Sequence, residues 1–178
     1  MKKFFKKSLL MTLVTVLLIG TFAISADAVM KRTVKYQKYN ASTSSIKKKA
    51  VTVKKGTTNL TITKGEGWIK FKAPSTKTYS FTFSNLKTKN DGVIAYVDFK
   101  KQDKYDKNWL TYVKVATKGG KTDALWLKSK DFSESTTKLI YRPLNSRTGK
   151  VKLKKGEILY MYYSGREGKK NTAKLVIK

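Results

Sequence analysis

The sequence predicts an all-β protein, an antiparallel, jelly-roll-like β-sandwich that follows a signal peptide. Three observations support this prediction. Apolar and polar residues alternate with a period of two from Ala50 onward, as on strands that bury one face. Glycine-containing turn signals separate the alternating runs. No window of helical length carries an apolar stripe at i, i+3 and i+4. We expect roughly eight to ten strands.

The strand candidates are rich in β-branched and aromatic residues, which favour a pleated, half-buried surface. Tyr79, Phe81 and Phe83 share one strand face, so we expect all three in the core. In chain order the candidates are Val51 and Val53; Leu60 and Ile62; Ile69 and Phe71; Tyr79, Phe81 and Phe83; Val93–Phe99; Leu110–Val115; Ala124–Leu127; Leu139–Tyr141; Val151 and Leu153; Glu157–Tyr163; and Ala173–Ile177.

The turn signals lie between these runs, where glycine and its polar neighbours favour a reversal of the chain. Residues 50–178 are therefore predicted to form one β-sandwich domain. The signals are Lys55-Gly56, Gly65-Glu66-Gly67, Asn90-Asp91-Gly92, Gly119-Gly120, Asn145–Gly149, Lys155-Gly156 and Gly165–Gly168.

Residues 1–28 have the three parts of a secretory signal peptide. A positively charged start with four lysines precedes the apolar stretch Leu9–Ile24, and Ala26-Asp27-Ala28 then supplies small residues at a cleavage site. The apolar stretch is shorter than the ~20 residues usually needed to span a bilayer, which favours cleavage over a retained anchor. We expect a secreted, extracellular protein with no transmembrane segment in its mature chain.

Residues 29–49 are polar and basic and show no clear period. Ser42-Thr43-Ser44-Ser45 precedes the run Lys47-Lys48-Lys49. This composition is typical of a flexible basic leader or of a loosely attached first strand.

Positive charge dominates the composition, with 40 Lys+Arg against 11 Asp+Glu and a formal net charge of +29. Removing residues 1–28 takes away four Lys and one Asp and leaves +26. Only four of the basic residues are Arg, which favours diffuse attraction over the bidentate recognition that a guanidinium provides. A polycation binds polyanions because it releases their condensed counterions.

Lysines repeatedly take the polar phase of strands whose other phase is apolar, as Lys70 and Lys72 do beside Ile69 and Phe71. We therefore expect lysines to coat the outer faces of the sheets. Part of the lysine excess is also consistent with protection of edge strands from pairing and with the codon use of an AT-rich genome.

The chain contains no His and no Cys, which excludes a Ser–His triad, a thiol nucleophile and most zinc or copper sites. No carboxylate pair stands out as catalytic, and Asp91, Asp98, Asp103 and Asp106 do not form a calcium-loop pattern. We predict no catalytic residue, no metal and no cofactor. A small carboxylate-dependent hydrolase is the less favoured alternative.

Two regions resemble a known module. Trp68–Pro74 followed by Lys77–Phe83 resembles the opening of the bacterial pre-peptidase C-terminal (PPC) domain, an aromatic-x-Lys-Phe-x-Ala-Pro strand, a turn and a Thr-Tyr-x-Phe strand. Val151–Tyr163 is similar to its element of a leucine, Gly-Glu and an aromatic-rich strand, and Ala173–Ile177 to its closing strand. Lys100–Arg147 has no counterpart. The resemblance implies a compact β-sandwich of the kind appended to secreted enzymes, some of which bind carbohydrate or protein fibres.

Aromatic residues in the outward phase, beside lysines, are the candidate ligand-binding residues. Such a ring can stack on a sugar while the ammonium group meets a phosphate or carboxylate. The alternative is that these rings pack beneath Val29–Lys49 or beneath the connection Lys100–Lys107. Tyr160 and Tyr162 alternate with Leu159, Met161 and Tyr163, so one of these two sets faces outward. The candidates are Trp68, Lys70, Lys72, Trp126, Lys128, Tyr160 and Tyr162.

Together these features predict a secreted, non-catalytic module of the bacterial cell envelope. We expect it to associate electrostatically with anionic polymers such as wall teichoic acid or acidic polysaccharide. Carbohydrate binding through surface aromatic residues is the alternative. Non-specific nucleic-acid binding in vitro is expected from the charge alone.

If the signal peptide is cleaved, the exported protein should begin at or near Val29. Amino-terminal sequencing of the protein from culture medium or cell wall checks this. An intact Met1 terminus recovered in the membrane fraction would contradict it.

Overall fold

Two β-sheets pack face to face around one apolar layer. The structure, a computed structural model, describes residues 28–88, 92–130, 132, 142–165 and 168–178. Within these residues the elements are β1 (Met30–Val34), α1 (Thr43–Lys49), β2 (Val51–Val53), β3 (Gly56–Ile62), β4 (Glu66–Lys72), β5 (Lys77–Thr88), β6 (Ile94–Gln102), β7 (Leu110–Tyr112), β8 (Val115–Thr117), β9 (Gly120–Thr122), β10 (Ala124–Lys128), β11 (Ser146–Leu153), β12 (Ile158–Ser164) and β13 (Asn171–Ile177).

Sheet A has the strand order β1-β3-β13-β5-β11-β8-β9, and sheet B has the order β10-β6-β12-β4-β2, with β7 also pairing with β6. This arrangement confirms the all-β sandwich. The sheets are mixed, however, because β1 runs parallel to β3 and β2 parallel to β4, whereas the sequence indicated antiparallel pairing throughout. The chain alternates between the two sheets from β1 to β4, and each of these pairs is therefore joined by a crossover instead of a hairpin.

The core lies between the sheets and is built from the apolar phase of each strand. Tyr79, Phe81 and Phe83 are buried there, as their alternation predicts. Phe71 contacts the rings of Tyr79 and Phe81 edge to face, with centroids 5.0 and 5.5 Å apart, and Phe81 contacts Phe99 at 6.1 Å. Such contacts add about 0.5–1.5 kcal/mol each to the free energy gained by burial.

Residues 29–49 contain a strand and a helix, so of the two predicted alternatives, a flexible basic leader or a loosely attached first strand, the structure has a first strand. Strand β1 extends sheet A, and α1 follows after a short connection. The Ser42 side chain accepts a hydrogen bond from the Ser45 backbone N–H, which caps the start of α1, and Ile46 is buried against sheet B. The sequence contained the capping serine, but one apolar residue in a basic run is too weak a signal for a helix of seven residues.

Three predicted segments have different outcomes from the rest. The turn predicted at Asn145–Gly149 is wrong over most of its length, because residues 146–149 begin β11 and pair with β5. Leu110–Val115 forms two strands, because the chain leaves sheet B after β7 and joins sheet A at β8. Leu139–Tyr141 lies outside the described residues, as do Asn90, Asp91 and part of Gly165–Gly168. In the part of the chain that the structure describes, no helix has the length and apolar character needed to cross a bilayer.

Gly67 allows the end of β1 to lie close against sheet B. A Cβ atom at this position would stand 2.6 Å from Val34 Cγ1 and 2.7 Å from the Lys35 carbonyl oxygen.

Gly67→Ala should therefore lower the free energy of unfolding by about 1–3 kcal/mol, measured by urea denaturation. Gly119→Ala is the matched control, because apart from Gly119 itself and its two chain neighbours no described residue has an atom within 4 Å of a Cβ there. Equal stability of the two variants would contradict this close approach.

Candidate functional site

The outer face of sheet A carries hydroxyl and lysine side chains, and no other element of the described chain covers it. No Asp or Glu occurs in any of its seven strands. Its outward phase is formed by the polar residues Lys31, Thr33, Thr57, Asn59, Thr61, Thr78, Ser80, Thr82, Ser84, Lys87, Lys121, Ser146, Thr148, Lys150, Lys152, Thr172 and Lys174 and by the apolar residues Ala116 and Val176. We call this surface the lysine–hydroxyl face.

Strand register spaces the lysines of this face regularly. Lys31 lies opposite Asn59, which lies opposite Lys174. Because neighbouring strands are about 4.8 Å apart, the backbones of Lys31 and Lys174 are about 10 Å apart. Lys150 and Lys152 stand two residues apart on β11, about 7 Å along the strand. The lysine ammonium groups of this face are therefore separate from one another, with hydroxyl groups between them.

A β-bulge makes part of this face concave. The pairing of β13 with β5 shifts between Thr172 and Lys174, and Asn85 opposite the shift has φ 53°. Asn tolerates this left-handed conformation better than most residues with a side chain. A depression of about 380 Å³ forms beside the bulge, and Lys31, Lys87 and Lys174 line it together with hydroxyl and amide side chains.

The lysines of this face have no carboxylate partner among the described residues. In that part of the chain one ion pair forms, between Lys101 Nζ and Glu157 Oε1 at 2.7 Å. Both residues belong to the sheet B side. The charge of the lysine–hydroxyl face is therefore available to an external anion.

The outer face of sheet B has a different chemistry, because a second apolar cluster covers much of it. Ile46 and Ala50 pack there on Trp68, Tyr160 and Tyr162. Tyr39 stacks on Trp68 with centroids 6.3 Å apart, and the Trp68 indole N–H donates to the Lys38 carbonyl at 3.2 Å. These contacts hold residues 38–50 against the sheet.

Burial removes three of the predicted ligand-binding rings from contact with a ligand. Trp68 occupies the outer side of sheet B, as its phase predicts, and of the two alternating sets on β12 Tyr160 and Tyr162 are the outward one. Trp68 is only 1% exposed, however, and the two tyrosines are also buried. The alternative of packing beneath Val29–Lys49 is the one that the structure shows. The Tyr162 hydroxyl also donates to the Glu66 carboxylate. Burial is the largest cause of the raised pKa of Tyr162, and this hydrogen bond is the next.

The four other predicted residues are not brought together into one site. Lys70 donates to the Lys47 carbonyl in the last turn of α1 at 2.6 Å, a capping role. Trp126 is half-buried against Tyr96, with centroids 5.3 Å apart. Lys128 is half-buried on the same edge strand. Lys72 is exposed at the end of β4.

Exposed aromatic residues lie instead around Lys100, and the sequence pattern did not predict them. Lys100 Nζ stands 4.1 Å from the ring centre of Tyr39 and 4.5 Å from that of Tyr112, and it donates to the Tyr39 hydroxyl. Tyr39 and Tyr112 are 37% and 52% exposed. Trp109, just before β7, is a separate ring that is 67% exposed, and a Trp within a polar, lysine-rich loop was the signal that the sequence offered for it.

Two ionisable groups near Lys100 have shifted pKa values. Burial raises the pKa of the Asp98 carboxyl to about 6, against the opposing effect of the Lys100 charge. The hydrogen bond with Tyr39, together with burial, raises the pKa of Tyr112 to about 12. Within the described residues no three Asp or Glu side chains converge as a metal site would require.

The fold and the lysine–hydroxyl face define a strongly basic β-sandwich. No protein-family model and no curated protein sequence matches the chain. Among solved structures, it is similar to one described as "CorA is a surface-associated copper-binding protein important in Methylomicrobium album BG8 copper acquisition". The TM-score is 0.42 and the identity 8%, over 85% of this chain and 99% of that one. A likeness at this level supports no inference about function.

The substitution Asp98→Asn should raise the free energy of unfolding at neutral pH, and this gain should disappear in acid. Because the folded-state pKa is raised, the folded protein binds the proton more tightly, and the charged carboxylate reduces stability increasingly as pH rises from about 4 to 6. We expect a gain on the order of 1–2 kcal/mol at pH 8 and none at pH 3.5, measured by urea unfolding. The exposed Asp106→Asn is the charge-matched control, and an Asp98→Asn gain that does not change with pH would contradict the assignment.

Proposed function

We propose that this chain is a secreted, non-catalytic β-sandwich module that binds anionic polymers through its lysine–hydroxyl face. The observation that carries the proposal is the complete absence of acidic residues from the seven strands of sheet A, next to regularly spaced lysines that form no ion pair within the described residues. A globular protein that used lysine only for solubility would not need to keep acidic residues out of all the strands of one sheet, while the strands of the other contain Glu66 and Asp98.

The chemistry of the face suits phosphate or carboxylate groups carried at intervals on a polymer. Each ammonium group that approaches one anion releases a condensed counterion, and the gains add along the chain. Hydroxyl groups between the lysines can donate to the same oxygens. Lysine gives attraction without the planar geometry that selects one anion, so the partner class is broad.

The predicted signal peptide favours an extracellular polymer as the partner. Wall teichoic acid, a phosphodiester polymer, and acidic polysaccharides, which carry carboxylates, both meet this description. Nucleic acid should also bind in vitro for the same physical reason. We further propose a place on the cell surface, where such polymers concentrate the protein.

The resemblance to the PPC domain is part of the proposal and concerns the class of module. The motif residues lie on five strands of the sandwich, β4, β5, β11, β12 and β13. An accessory binding module without catalytic residues is what this resemblance implies. The binding surface proposed above comes from the structure and not from the family.

Carbohydrate binding by stacking is the second candidate, favoured by the exposure of Trp109 and Tyr112. Rings exposed on one side of a protein can pack on the apolar face of a sugar independently of charge. The two candidates use different surfaces and different physics, so salt separates them.

A triple substitution on the lysine–hydroxyl face tests the proposal. Lys31, Lys87 and Lys174, which line the depression at the bulge, are changed together to Gln. Binding of the chain from Val29 onward to polyphosphate, heparin and duplex DNA is measured as a function of NaCl. The original protein should lose affinity linearly in a log–log plot, and the variant's slope should be smaller by about 2–3, at 0.7–0.9 for each neutralised charge.

The matched control replaces Lys48, Lys104 and Lys107, three exposed lysines on the sheet B side, and has the same net charge. It should retain most of the slope. Equal losses in the two triple variants would assign binding to net charge alone and contradict a specific face. Retention of a neutral glycan in 1 M NaCl that is lost on Trp109→Ala would instead establish the second candidate.

A further inference from the structure

Exposed aromatic side chains concentrate on the hairpin between β6 and β7. Among the described residues, six large apolar or aromatic side chains are exposed, and three of them, Tyr105, Trp109 and Tyr112, lie on this hairpin. Tyr105 has the largest exposed fraction of the six, 89%. Every residue from Lys104 to Trp109 is exposed, so the loop of the hairpin stands out from the body of the protein. We call residues 103–109 the aromatic loop.

Hydrogen bonds hold the aromatic loop in one shape. The Asp103 N–H donates to the Trp109 carbonyl at 2.9 Å, which closes the loop, and the Trp109 N–H donates to the Asp106 carbonyl at 3.1 Å. Asp103 Oδ1 accepts from the N–H groups of Asp106 and Tyr105 at 3.0 and 2.8 Å. The loop is therefore formed in the free protein, and binding through it requires little ordering of the backbone.

Positive charge surrounds the aromatic loop. Lys47 Nζ donates to the Lys107 carbonyl at 2.7 Å, which brings the last turn of α1, built of three lysines, beside the loop. Residues 100–114 contain five lysines and two aspartates. Both aspartates accept hydrogen bonds from backbone N–H groups of the loop. The loop and its surroundings therefore carry an excess of positive charge.

We infer that the aromatic loop docks onto an anionic lipid bilayer, with the rings of Tyr105 and Trp109 at the level of the headgroups. Tyr and Trp favour that level because each combines an apolar ring with a polar group that stays hydrated. The ammonium groups of Lys104 and Lys107 belong to the same loop and can meet the lipid phosphates. Lys104 Nζ is 5.1 Å from the centre of the Tyr105 ring, so ring and charge approach a surface together.

The exposure of the rings favours a bilayer over a sugar. A sugar stacks on one face of a ring, and the protein normally covers the other face. Little of the Tyr105 ring is covered by protein, whereas a bilayer interface surrounds a ring on all sides. The two carboxylates of the loop are engaged by its own backbone, which reduces the acceptors available to sugar hydroxyl groups.

The first test is the composition of the bilayer. The chain from Val29 onward is mixed, in 0.15 M NaCl, with vesicles of equal parts phosphatidylglycerol and phosphatidylcholine, and bound protein is measured by sedimentation. Vesicles of phosphatidylcholine alone should bind at least ten-fold more weakly, because they lack net negative charge. Acyl chains brominated near the headgroup should quench the Trp fluorescence of the bound protein. Trp109→Phe should lose most of this quenching, since Trp68 is buried and Trp126 is half-buried.

The second test assigns the rings. Tyr105→Ala and Trp109→Ala should each weaken vesicle binding about five- to ten-fold, because each removes an aromatic side chain from the interface. Leu144→Ala is the matched control and should change binding less than two-fold. Leu144 is also exposed, but it lies beside Leu127, at the opposite end of β6 from the hairpin. Equal urea midpoints of the three variants and the original protein show that all are folded.

The third test separates the loop from net charge. Lys104→Gln with Lys107→Gln should weaken vesicle binding about five-fold for each lysine. Lys31→Gln with Lys174→Gln has the same net charge but changes the lysine–hydroxyl face, and it should alter vesicle binding less than two-fold. Polymer binding and bilayer docking therefore fail independently of each other, because they use different sheets.

Three results would overturn the inference. One is equal loss of vesicle binding in the two lysine pairs, which would assign binding to net charge. Another is vesicle binding that does not change in Trp109→Ala and Tyr105→Ala. The third is a neutral glycan that binds through Trp109 while vesicles do not bind, which would assign the rings to carbohydrate.

Discussion

The fold has to be stable despite the electrostatic repulsion among its many basic side chains. With a formal charge of +29 and no cysteine, the chain holds itself together by packing alone. The layer between the two sheets, with Phe71, Tyr79, Phe81 and Phe99 in edge-to-face contact, supplies this packing. Strand alternation puts each apolar residue into that layer and each neighbouring lysine outside it. The same alternation that builds the core therefore spreads the charge over the surface.

The two sheets meet this constraint in different ways. Sheet A leaves its outer side open to water, with lysines separated by threonines and serines, so that the charges are hydrated and apart. Sheet B places aromatic side chains outward and covers them with residues 38–50. The basic run of α1 is anchored by the single apolar residue Ile46 and by the Lys70 ammonium group at its last turn. A segment that is almost entirely polar is thus ordered by a few buried contacts.

The two depressions arise where the regular strands of the sheets are interrupted. The depression beside Asn85 exists because a bulge bends β5, and the depression near Phe71 exists because three chain segments end or turn together. Both have lysines around them, and the first also has hydroxyl and amide side chains in its lining. Such a lining suits the repeated anions of a polymer.

The sequence by itself determined the all-β class, the core position of Tyr79, Phe81 and Phe83, and the outward phase of Trp68. These follow from local alternation, which a strand imposes whatever its partners are. The structure decided that Tyr160 and Tyr162 face outward and Leu159, Met161 and Tyr163 inward. Only the tertiary structure decided that residues 38–50 bury those three outward rings, because a pattern along one strand contains no information about what lies above it. It also decided that seven strands without acidic residues share one sheet. These strands are spread along the chain from Met30 to Ile177, so a pattern among neighbouring residues cannot show that they belong to one sheet. Strand pairing between remote segments brings them together.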